Sequence, residues 1–287
     1  MTHPQKQHYV PQFLLRNFTL SGSDQLYVYD KSNDRTYKTN ITNVAAEREF
    51  YDFRIDGIDL TIEPSLGKIE VVAASEIDEI ILRRSIGHLS LEKKTILSLF
   101  IAIQMVRTRH VRVSMDAMLD QVREKIRSWG QDPDQVPQLR KGSEDEDKLS
   151  TARIIQNAVS FVPPLMDKVW LLFRADDEGS LYISDNPVTL HNERTDPLLG
   201  TLGIAVEGIE INFPISRHFS LALYCHSHRQ SFLEDYEKYK LLQRTNPASA
   251  ARIDVDPFFM EGLYYGMDNG RAVPLPAASI LHLLNFQ

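Results

Sequence analysis

His8-Tyr9-Val10-Pro11-Gln12-Phe13-Leu14-Leu15-Arg16-Asn17-Phe18 stands almost at the start of the chain. Chain ends are as a rule polar and frayed. This stretch is filled with aromatic and aliphatic side chains, to which a histidine, an arginine and a proline are added. It reads as a segment built to be buried, carrying His8 and Arg16 inward. Pro11 suits the first turn of a helix, where its missing N–H costs nothing. Phe13, Leu14 and Phe18 then fall near one another, and His8 stands at the positive N-terminal end of that turn. The fold turns on what the later segments offer this element.

The chain has 287 residues, enough for one large domain or two small ones. A hydrophobic content of 43% with 25% charged residues supplies a core without staples. The net charge of −7 argues against a protein whose main task is coating nucleic acid, although a local basic groove stays compatible with it. Cys225 is the only cysteine, which excludes an intrachain disulfide and a cysteine metal cluster. The residues from Met1 to Gln7 contain no apolar signal core. The longest apolar run, around Leu97 to Val106, is far short of a membrane span. The expectation is a cytoplasmic protein that does not enter a membrane.

Outward from the opening stretch, Ser21 to Asp24 is a turn and Leu26 to Asp30 a strand, folding back through Lys31 to Arg35 into Thr36 to Lys38. Glu49 to Phe53 reads as another strand closed by Asp56-Gly57. From Pro64 the period becomes helical, with Ile69, Val72, Ala73, Ile77, Ile80 and Ile81 as far as Gly87. Ser90 is a candidate N-cap for a helix running toward Trp129. About forty residues at 1.5 Å would make a rod of ~60 Å, so a break is expected between Arg112 and Asp116. Gln131 to Lys148 holds two prolines, a glycine and the acidic run Glu144 to Asp147, and reads as a mobile loop. Helix resumes from Leu149 to Phe161. Strands are expected at Val169 to Phe173, Leu181 to Ile183, Ile209 to Phe213 and Phe219 to Tyr224, with a turn at Asp176 to Gly179 between the first two. Phe232 to Leu242 reads as helix, Asn246 to Arg252 as a further helical turn, Gly262 to Val273 as turn-rich and Ile280 to Phe286 as a docking tail. The fold class is α+β: a buried helical centre flanked by a small β-rich N-terminal region and a β-rich C-terminal half. It is read as a single domain over residues 1–287, with sub-regions 1–62 (β-rich), 63–162 (helical) and 163–287 (mixed, β-rich).

The opening HYVPQFLLRNF, LYVYDK at Leu26 to Lys31, FIAIQMVRTR at Phe100 to Arg109, and ISDNPV at Ile183 to Val188 followed by FPIS at Phe213 to Ser216 together resemble a bacterial family of unknown function, DUF4238. The resemblance implies no activity, so the chemistry has to come from the residues.

From Ile96 to Val106 only Ser98 and Gln104 are polar, so this helix is apolar on every side and belongs in the core. Gln104, Arg107 and Thr108 bring an amide, a guanidinium and a hydroxyl together beside it. A buried arginine demands an anion. Either Arg107 pairs with an internal carboxylate such as Glu70, as pure structure, or it faces a pocket and clamps an anionic ligand in a fork. Arg109, His110, Arg112, Arg123, Lys125 and Arg127 make the same region locally basic, as a solvated face or as a nucleic-acid groove. Ser184-Asp185-Asn186-Pro187 is a polar turn, with Asp185 either bound up in the turn or free as an acid, base or ligand clamp.

His8 and Asp185 are therefore the catalytic candidates, and Arg16, Gln104, Arg107, Thr108, Ser184 and Asn186 the substrate-binding ones. Base, anion clamp and polarising carboxylate are the combination that phosphoester chemistry uses. The chain has no Walker loop, dinucleotide-binding glycine pattern, HExxH or GxSxG. His218, His226 and His228 do not have a convincing metal spacing, and no metal ligand is assigned. The expected function is an enzyme acting on a phosphate-containing small molecule or nucleic acid, a nuclease or nucleotide hydrolase, with a divalent metal as an open cofactor question. The alternative is a non-catalytic binding or interaction module whose buried polar cluster is structural.

Overall fold

The computed structural model describes residues 6–20, 22–140, 142–175, 180–193 and 202–228, with seven further positions between 230 and 245. The expected turn at 176–179 and the segments at 246–252, 262–273 and 280–286 lie outside the described residues. The described positions of 232–242 are helical. The class is α+β, with helices in the middle and small sheets at both ends.

Strand β1 (Lys6–His8) leads into the short helix α1 (Gln12–Arg16), with Pro11 just before its first turn. Hairpin β2 (Gln25–Asp30) and β3 (Arg35–Asn40) follows. Strand β4 (Ala46–Arg48) returns to pair antiparallel with β1, His8 opposite Ala46. Strands β5 (Asp52–Ile55) and β6 (Ile58–Thr61) form a second hairpin. Asp56 and Gly57 turn it with φ of 50° and 81°, the left-handed pair that a two-residue hairpin requires.

Helix α2 (Glu63–Arg83) buries Leu66, Ile69, Ala73, Ile77 and Ile80 on one stripe. It ends at left-handed Arg84, before the expected stop at Gly87. Ser90 caps α3 (Leu91–Val106), its hydroxyl accepting from the Lys93 N–H. The expected single rod breaks between α3 and α4 (Arg109–Ser128), at Arg107 and Thr108, earlier than Arg112 to Asp116. The segment 131–148 also departs from a plain loop. It contains two short 3-10 turns, and its acidic run is the first turn of α5 (Glu144–Asn157). Ser143 and Glu146 cap one another's backbone there, and four acids at a helix N-terminus oppose the helix dipole favourably. Pro163 and Pro164 do not end a helix but open α6 (Val162–Met166), where their missing N–H groups are harmless.

The last sheet is antiparallel, in the order β7 (Val169–Arg174), β10 (Phe219–Tyr224), β9 (Glu210–Pro214) and β8 (Thr189–His191). Leu181 to Ile183 is not a strand. Leu181 makes one backbone contact, donating to the Arg217 carbonyl, and the fourth strand is β8 instead. No helix among the described residues is long and apolar enough to cross a membrane.

One hydrophobic core runs from Tyr9 to Leu223 and joins the opening stretch, α2, α3, α5, α6 and the last sheet. The opening stretch lies in it: Val10 and Leu14 are wholly buried, and the Phe13 ring is 5.5 Å from that of Phe100. Burying one such aliphatic side chain is worth about 1.5–3 kcal/mol. Arg16 is the exception to the inward reading. Its side chain is 53% exposed and pairs with Asp24 at 3.1 Å. A surface pair escapes the desolvation that an inward guanidinium would incur. Deleting residues 1–18 should therefore abolish soluble folding, and a truncated protein with an unchanged melting temperature would overturn that expectation.

Candidate functional site

The break after α3 creates the site. Arg107 closes α3, its N–H donating to the Ile103 carbonyl. Thr108 is then extended, with ψ of 154°, and its hydroxyl caps α4 by accepting from the Val111 N–H at a long 3.5 Å. The same hydroxyl donates to Asn186 Oδ1 at 3.2 Å. Threonine is a preferred N-cap, and here a single residue ends one helix, starts the next and seats the SDNPV turn upon them.

Behind this break lies a buried polar cluster. Gln104 Nε2 donates to the Tyr9 carbonyl at 2.8 Å. Gln104 Oε1 accepts from Arg107 Nε and Nη2 at 2.9 and 2.7 Å. Arg107 Nη1 donates to Glu70 Oε1 at 2.6 Å. The Arg107 side chain is only 1% exposed. Burial presses its pKa down, but the attraction of Glu70, Tyr51 and Glu63 outweighs that and the net shift is upward. The internal-carboxylate alternative thus describes Arg107, and Glu70 is its partner. Gln104 does orient the guanidinium, as the helical spacing implied.

His8 is also engaged. Its Nε2 faces the Ile41 carbonyl at 3.3 Å and its Nδ1 faces the Gln12 amide at 3.5 Å, so the proton belongs on Nε2. Burial lowers its pKa, which keeps the ring neutral at pH 7. Its neighbours in sequence complete the clasp. Gln7 is fully buried, accepting from the Tyr51 N–H at 2.6 Å and donating to Asp52 at 2.7 Å. The Tyr51 hydroxyl reaches the His8 carbonyl at 3.4 Å, and burial raises its pKa well above the usual phenol range.

Glu63 is the residue that the sequence reading missed. It lies two turns before Glu70 on the same face of α2. Burial, reinforced by Glu70 and opposed by Arg107, pushes its carboxyl from the ordinary 4.5 up to about 7. The signal was present: Glu63, Leu66, Glu70 and Ala73 share a stripe, and acids within an apolar stripe mark an internal charge cluster.

A second group of polar residues faces the other way. Tyr9 is buried, and its phenol is pushed up to about 12 by burial and by the charges of Asp185 and Glu47. No described residue hydrogen-bonds its hydroxyl. Asp185 is exposed and Arg109 is bound to Glu47 at 2.7 Å. Ser184 is used within its own turn, donating to the Asn186 carbonyl at 2.7 Å and accepting from the Asn186 N–H at 3.1 Å. The structure therefore brings together Gln104 and Arg107 inside, and Thr108, Asn186, Asp185 and Tyr9 outside. His8 lies on the inner side, and Arg16 belongs to neither group. Beyond them, His226 and His228 approach different acids, Asp167 at 3.7 Å and Glu210 at 3.9 Å. The Asn17 side chain donates to the Ile215 carbonyl at 3.0 Å, so the opening motif also touches the FPIS stretch.

Arg107→Lys should lower the melting temperature by several degrees, because lysine cannot reach Glu70 and Gln104 together and a broken buried pair costs roughly 3–5 kcal/mol. Anion affinity per folded molecule should not change. The Glu63 shift has a definite sign. A carboxyl whose folded pKa is raised contributes stability that is full below the unfolded value and is lost as pH rises through about 7. Glu63→Gln should therefore match wild type near pH ~4 and melt at a higher temperature near pH ~8. Equal melting temperatures at both would refute the shift.

No curated protein and no solved structure matches the chain. A match to the family DUF4238, described as protein of unknown function, extends over residues 6–257, and the chain belongs to that family.

Proposed function

We propose that this protein is a hydrolase acting on a phosphate-containing substrate, a nucleotide or nucleic acid, at the outer face of the α3–α4 break. The observation that carries the reading is the first turn of α4. It bears Arg109, His110 and Arg112 and no acid, at the end of a helix where the backbone already presents positive charge. Cations placed there are unfavourable for the helix alone; Glu47 offsets Arg109 in part and Arg112 turns to the Phe50 carbonyl, and a bound anion at the helix end would add to that relief. Asp185, held beside that turn through Asn186 and Thr108, is the candidate base for the attacking water. Arg109 and the helix end are the candidate phosphate contacts, in place of Arg107. The Tyr9 hydroxyl is a hydrogen-bond donor for the substrate. Gln104 and Arg107 act through the backbone of Tyr9 as positioning residues, and His8 braces the same strand. The turnover assay is run with and without a divalent metal.

The second reading is a non-catalytic binding or interaction module, and the full engagement of Arg107 by Glu70 and Gln104 favours it. The two separate in one experiment. Asp185→Asn should keep the wild-type melting temperature while lowering phosphoester turnover by about 100-fold or more. Arg109→Gln should weaken nucleotide binding, with a smaller salt dependence. If the wild type neither binds nor cleaves nucleotides or nucleic acid, the hydrolase reading falls and the module reading replaces it.

A further inference from the structure

Another cluster of ligating groups lies at the turn between α2 and α3. Glu76 and Glu79 project from the end of α2, and His88 comes from the connection that follows. One donor atom from each of the three lies within 4.8 Å of the others. The connection is well fixed: Ile86 and Leu89 are buried on either side of His88, and the Leu89 N–H donates to the Ile86 carbonyl at 3.0 Å.

The environment of His88 is the unusual part. Its side chain is 12% exposed, and both ring nitrogens are buried with no hydrogen-bond partner. Glu79 Oε2 stands 3.6 Å from Nε2, beyond hydrogen-bond reach. Buried imidazole nitrogens are nearly always satisfied, so an unpartnered ring beside two carboxylates is a cation-binding arrangement. Lys93, from the first turn of α3, presently supplies the positive charge. Its Nζ lies 2.9 Å from Glu76 Oε2 and 2.6 Å from Glu79 Oε2. The ammonium lies against both carboxylates but makes no hydrogen bond to His88, and Glu76 Oε2 itself has no well-directed hydrogen bond. Arg83 holds the other oxygen of Glu79 at 2.8 Å, which orients the carboxylate in the way that outer partners orient metal ligands.

We propose that Glu76, Glu79 and His88 form a binding site for a divalent transition metal of the zinc class, which displaces the partly exposed Lys93 ammonium and staples α2 to the start of α3. One imidazole nitrogen and two carboxylate oxygens, with water in a fourth position, suit zinc better than calcium, which prefers oxygen ligands alone. The site is separate from the α3–α4 break and does not depend on the hydrolase reading.

The test is titration of the chelator-treated, tag-free full chain with zinc by calorimetry, and with cobalt by visible absorption. The expected result is one metal per chain, a cobalt spectrum typical of low coordination, and a rise in melting temperature with zinc. His88→Ala should weaken binding by no less than about 10-fold, and Lys93→Met should tighten it, because the competing ammonium is gone. Glu92→Gln, an exposed acid nearby, should leave the affinity as it is. If His88→Ala fails to fold, Glu76→Gln takes its place with the same expectation. Wild type that binds no zinc or cobalt, or affinity unmoved by Lys93→Met and by loss of the ligand, would overturn the proposal.

Discussion

The Gln104 side-chain amide makes two connections that the rest of the structure depends on. Its nitrogen satisfies the Tyr9 carbonyl, a backbone acceptor carried into the core by the opening stretch. Its oxygen takes two N–H groups of Arg107. A buried carbonyl and a buried guanidinium are each costly alone, and one amide between them makes both tolerable. The opening stretch can enter the core because this donor waits there. Arg107 can lie inside because Gln104 and Glu70 divide its donors between them.

The helix break follows from the same demand. An apolar helix extended straight through Arg107 and Thr108 would leave the Thr108 hydroxyl within the helix and remove the cap from α4. Ending α3 at Arg107 lets the hydroxyl serve two partners, the Val111 N–H and Asn186. A sequence-distant turn is thereby fixed on the N-terminus of α4 by one short side chain. The charges of Asp185 and of Arg109 in the first turn of α4 both act on the Tyr9 phenol.

Electrostatics then separates the surroundings of His8 from those of Tyr9. His8, Glu63, Glu70 and Arg107 lie on the inner side, where desolvation dominates and raises the Glu63 carboxyl toward neutrality. Tyr9, Glu47, Arg109 and Asp185 lie on the outer side, where Asp185 and Arg109 remain exposed. His8 ends β1 and Tyr9 begins the bend that follows, and the charges that act on the two side chains differ. A catalytic group that joins His8 directly to Asp185 is not what the strand builds.

Local patterns in the sequence determined much of this protein: the buried opening stretch, the Ser90 cap, the Asp56-Gly57 turn, the largely apolar 96–106 segment of α3 and the paired strands near the C-terminal end of the described residues. Each rests on neighbours within a few positions, where periodicity and backbone preference are decisive. The pairing of Gln104 with Arg107 was legible for the same reason, since helical spacing brings these side chains together, whereas Thr108 falls outside the helix and joins Asn186 instead. Tertiary structure decided the rest. Whether Arg107 met Glu70 or a ligand depended on how α2 packs on α3. The position of the break depended on Asn186, remote in sequence, and the acidic run became a helix start once Ser143 could cap it. Arg16 stayed outside because Asp24 offered a solvated partner, whereas Glu63 acquired its raised pKa only when folding removed its water and set Glu70 beside it. Long-range pairing and desolvation are properties of the packed chain, and no local spacing encodes them.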